Sequence, residues 1–154
     1  MYNRRIRRPK EQEDMYRELT DSNEFGFFST YKDVFMAAGL IGFINQKRVP
    51  FKGSLEGIHW NVFNQDTDEA VINAVALADS GEVNVINTDE DTFEEKILIF
   101  EEYAAAGVEI LHKMLMESPK LALDTYFAYL MSMEEHLTTK ERNLKAIADL
   151  IDFD

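Results

Sequence analysis

From Val34 to Ile44 the chain carries no polar side chain, the longest such run in the sequence. An exposed helix or strand could not sustain that run, so the pattern predicts a helix enclosed by other elements, over about 30–45. Thr30 stands three residues before Asp33 and suits the N-terminal cap, in a shortened capping-box arrangement. Asn45, ahead of Lys47, Arg48 and Pro50, is the expected left-handed stop. Gly39 and Gly42 fall on one side of this helix and would let a second helix approach closely. The run is well short of the roughly 20 residues that a membrane span needs. It defines architecture and carries no chemistry.

Other stretches are amphipathic. Glu11 to Leu19 places Met15, Tyr16 and Leu19 on a narrow apolar stripe. Asp66 to Ala78 repeats Ala70, Val71, Ala74, Val75 and Leu77 at helical spacing, and Gly81 supplies a stop. The longest predicted helix is Asp91 to Met116, capped by Thr88 or Asp89. Phe93, Ile97, Phe100, Ala104, Val108, Leu111 and Leu115 follow one another at three and four along it, with Gly107 marking a bend or a close helix contact. Lys120 to His136 and Thr138 to Ile151 complete the helical count. Gln46 to Gly57 reads as irregular chain or a small hairpin, and Ile58 to Phe63 as a helical turn or a strand. Glu82 to Ile86 alternates like a short strand, whose one evident partner lies near Val49 to Phe51. The expectation is an all-α, single-domain helical bundle around the buried helix, with at most a small two-stranded addition.

Charge changes the picture at one end. The net charge is −13, yet residues 1–10 contain Arg4, Arg5, Arg7, Arg8 and Lys10 with no acid. Subtracting that +5 leaves −18 on the remainder. The division suggests a basic N-terminal arm, 1–10, that buries little, and a helical domain, 11–154. Such an arm could touch phosphate locally, whereas the acidic body repels nucleic acid at long range. Equally, the arm could neutralise acids of its own body or of a partner. Length and a 45% hydrophobic composition suit one folded core. No cysteine is present, which removes disulfides, thiolate metal sites and a cysteine nucleophile. With no apolar segment behind the basic start, a cytoplasmic protein is the expectation.

Candidate chemistry is sparse. Glu109 and His112 form one Glu-x-x-His pair, but a di-iron bundle needs a second, and Glu134-Glu135-His136 has the wrong spacing. No serine lies in a Gly-x-Ser-x-Gly setting, and no glycine-rich phosphate loop exists. Paired acids such as Glu94–Glu95 and Glu101–Glu102 read as solvated helix faces. The expectation is no enzyme, no metal and no cofactor. His59-Trp60 contains the one tryptophan. Trp60 either plugs the core, with His59 satisfying a backbone group, or the two anchor a partner protein, a frequent role of Trp at interfaces.

Several blocks, in order, resemble a small bacterial family associated with Dnd (DNA phosphorothioation) gene clusters. They are R-R-I-R-R-P-K, T-Y-K-D-V-F-M-A-A-G-L-I-G-F, K-R-V-P-F, I-H-W-N-V-F, A-V-I-N-A-V-A-L and F-E-E-Y-A-A-A-G-V-E-I-L, from about Arg4 to Leu111. The resemblance implies a neighbourhood of anti-phage defence and no particular reaction. Together with the absence of catalytic constellations, it leads to an expected non-enzymatic adaptor that docks on a larger ATPase, nuclease or modification protein of the same cluster. The alternatives are a factor that contacts DNA through Arg4, Arg5, Arg7, Arg8 and Lys10, and an acidic DNA mimic.

Overall fold

The computed structural model describes residues 4–23, 28–87 and 89–133, apart from the side chain of Glu56. The chain order is β1 (Arg5–Pro9), α1 (Glu13–Leu19), α2 (Tyr31–Ile44), β2 (Ser54–His59), α3 (Asp68–Ser80) and α4 (Glu90–Met116). Single 3-10 turns lie at Lys10–Gln12, Trp60–Val62, Val83–Ile86 and Pro119–Leu121, and residues 122–133 are helical. The class is mostly α with a small antiparallel sheet. The expected last helix, Thr138 to Ile151, and His136 lie outside the described residues.

The core forms where α2 crosses α4. All seven expected α4 positions, Phe93 to Leu115, are buried, and they meet Val34, Phe35, Ala38 and Ile41 of α2. The crossing is close enough to exclude side chains. A Cβ on Gly42 would strike the carbonyl oxygen of Tyr103, and one on Gly107 the carbonyl oxygen of Ala38. The two backbones therefore touch where the sequence supplies glycine. Enclosure is most complete on α4, whose residues 99–108 are all buried. By contrast α2 leaves Leu40 37% and Ile44 43% exposed, so its apolar run is packed on one side more tightly than on the other.

The helix ends follow local chemistry. Thr30 caps α2 by accepting from the Asp33 N–H at 3.2 Å, and Asp89 caps α4 by accepting from the Thr92 N–H at 3.0 Å. Gly81 ends α3 with φ 70°, as its position suggested. Asn45 keeps φ at −83°, and the left-handed residue is Gln46, φ 54°. The Asn45 side chain bonds back to the Ile41 carbonyl at 2.8 Å, which holds it in the helix and moves the turn one position on.

The sheet differs from expectation. Val83–Ile86 is a 3-10 turn and no strand covers Val49 to Phe51. Instead the basic N-terminal segment pairs antiparallel with β2, from Arg5 opposite His59 to Pro9 opposite Ser54, with an irregularity between Ile6 and Arg7. Ile6 is fully buried and Arg8 is 4% exposed. The segment read as an arm outside the domain is thus a strand of the fold, because Ile6 and Arg8 alternate inward in the period of a strand.

Candidate functional site

Glu101 sits in the middle of α4 with its side chain 0% exposed. Its carboxylate accepts from the Arg7 backbone N–H at 2.5 Å, from Arg4 Nη2 at 3.2 Å and from Arg7 Nη2 at 3.3 Å. Burial pushes the Glu101 carboxyl above the usual range, and the two guanidiniums with the Arg7 N–H oppose that push. Arg4 also reaches Glu94 through Nε at 2.6 Å. Arg8 points the other way. Its guanidinium lies 4.8 Å from the ring centres of both Tyr16 and Tyr31, and Nη1 meets Glu13 Oε2 at 2.5 Å. The Tyr31 hydroxyl donates to the second oxygen of Glu13 at 2.9 Å.

Of the five cations in the segment, Arg4, Arg7 and Arg8 thus face carboxylates of their own chain. The side chains of Arg5 and Lys10 are exposed, and the Lys10 N–H donates to the Gly53 carbonyl at 3.0 Å. The five residues do not form one open basic face. Glu101 and Glu102, read as a solvated face, are both buried. The physical reason is electrostatic: each carboxylate has an arginine partner brought in from far along the chain.

For Glu102 that partner is Arg48. Its Nε meets Glu102 Oε1 at 2.7 Å and its Nη1 meets Asp79 Oδ2 at 2.8 Å. The Tyr103 hydroxyl donates to the other Asp79 oxygen at 2.5 Å, and the Val49 N–H to the Glu102 carbonyl at 3.0 Å. Burial and the Asp79 carboxylate push the Tyr103 hydroxyl up to about 12. This clamp fastens the loop after α2 onto α3 and α4. Sequence reasoning missed it, although Lys-Arg-Val-Pro was one of the blocks that carried the resemblance.

The His59-Trp60 pair is split by the end of β2. Trp60 turns inward, 7% exposed, stacked on Phe63 at 4.9 Å and edge-on to Phe93 at 5.0 Å. Its place is the core, as the first of the two readings had it. His59 is exposed on the rim of an open hollow of about 410 Å³, with Thr30, Lys32, Asp33, Gly57 and Val62 around it. The polar groups there are largely engaged: Lys32 Nζ is held by Asp68 at 2.8 Å, and Thr30 caps α2. His112 pairs with Glu18 at 2.6 Å, while Glu109 faces solvent. Among the described residues no group of three or more His, Asp or Glu is placed to hold a metal.

Among the described residues, a further apolar surface lies on the outside of the fold. In the helical stretch 122–133, Ala122, Tyr126 and Tyr129 pack on the core, Tyr126 edge-on to Phe28 at 5.7 Å. Leu123 and Phe127, each 63% exposed, continue with Leu130 and Met131 along the opposite face. Only Asp124 is charged in this stretch. The sequence predicts a helix from Lys120 without assigning its apolar residues to a face. The fold divides them into two, because both sets recur at helical spacing and one helix turns only one face inward. No described helix is long and apolar enough to cross a membrane.

No curated protein and no solved structure matches the chain. A family match, however, reaches past the blocks recognised in the sequence, through the two-faced helix. The chain belongs to the family DNA sulphur modification system-associated protein 4, whose model matches residues 5–150.

Proposed function

We propose that the chain is a non-enzymatic accessory subunit of a DNA sulphur modification system, acting in the cytoplasm as an adaptor. The observation that carries this reading is the outer face of residues 122–133, where Leu123, Phe127, Leu130 and Met131 stand exposed in a family named for association with such systems. An uncharged apolar stripe on a chain of net charge −13 is the kind of surface that becomes buried on association. Its occupant is a larger protein of the same system, an ATPase, nuclease or modification subunit. DNA contact through the N-terminal segment draws less support, since Arg4, Arg7 and Arg8 are ion-paired within the chain.

Co-purification from cells expressing the whole gene cluster tests the proposal. The wild-type chain is expected to elute with a cluster-encoded protein, and Phe127→Asp to elute without it while melting as the wild type does. A wild-type chain that always elutes alone, or a Phe127→Asp variant that keeps the partner, overturns the docking face.

A further inference from the structure

We draw no further inference here: the strongest candidate, the exposed apolar stripe on the outer face of residues 122–133, belongs to the surface already described, and nothing among the described residues identifies what covers it beyond that reading.

Discussion

The two ends of the described chain invert the usual arrangement of a soluble fold. At β1, guanidiniums and carboxylates lie inside, with Glu101 and Arg8 almost wholly removed from solvent. At residues 122–133, leucine, phenylalanine and methionine lie outside. A buried charge is tolerable only when each partner is present, and removing one leaves the other stranded. An exposed apolar face has no such internal dependence. The first region should therefore govern stability and the second association, although composition alone would assign them the other way round.

That division can be broken most directly at Glu101. Glu101→Ala leaves Arg4 with Glu94 alone and the Arg7 N–H without its acceptor beside an unfilled space, and the expected loss is about 2–4 kcal/mol, read by chemical denaturation. A loss below about 1 kcal/mol would mean that the buried pair contributes little beyond what water supplies. Gly42→Leu, on α2, presses against that same helix α4 without touching charge. Its side chain meets the backbone of Tyr103, which cannot rotate away. A loss on the order of 1–3 kcal/mol or more is expected, visible as a lower melting temperature. An unchanged melting curve would show that α2 and α4 are farther apart than described.

The ion pair at Arg8 sharpens the contrast through pH. Burial raises the Glu13 carboxyl, but its bonds to Arg8 and Tyr31 and the charges of Arg8 and Arg17 together outweigh it and hold the carboxyl below the ordinary glutamate value. A carboxyl depressed in the folded state contributes stability above its unfolded value, lost as pH falls through the folded one. Melting temperatures should thus decline below about pH 4.5, and Glu13→Gln should flatten part of that decline. Leu123→Ser on the outer face should leave its slope unchanged. An acid profile identical in wild type and Glu13→Gln would remove the Arg8–Glu13 pair from the account of stability.

The smallest stability effect is expected at the outer face itself. Phe127→Asp should shift folding by no more than about 0.5 kcal/mol, the range of ordinary surface changes. A loss of several kcal/mol would place Phe127 in the core and end the comparison. Gel-shift titration completes the contrast. With Arg4, Arg7 and Arg8 engaged, duplex DNA is expected to bind weakly even at low salt. Tight binding that weakens steeply as salt rises would show that the internal pairs yield to phosphate.

Much of the fold was legible because it rests on local periodicity. The spacing from Phe93 to Leu115, the Thr30 cap and the Gly81 stop each depend on residues within a few positions of one another. Ile6 and Arg8 were not legible as a strand, since charge hides their alternation and the pairing partner begins at Ser54. Glu101 was misread for a related reason. A carboxylate in a Glu-rich helix is ordinarily solvated, and only the fold supplies Arg4 from 97 positions away. Trp60 had two readings open, and the rings of Phe63 and Phe93 decide for the core. The outer stripe was visible as residues but not as a surface, because periodicity alone does not tell which of two apolar faces turns inward.

The bond from Arg4 to Glu101 also imposes an order on synthesis. A growing chain emerges N-terminus first, at about 5–20 residues per second, so its basic end is made roughly 5–20 s before Glu101. During that interval the guanidiniums of β1 have no α4 to meet, and Arg8 finds its rings in Tyr16 and Tyr31 first. Closing so long a loop is slow relative to forming a helix, because its entropy is spent before the contacts form. The strand can pair with β2 before α4 exists, yet a nascent chain halted before α4 is complete would still display the positive charge of Arg4 and Arg7.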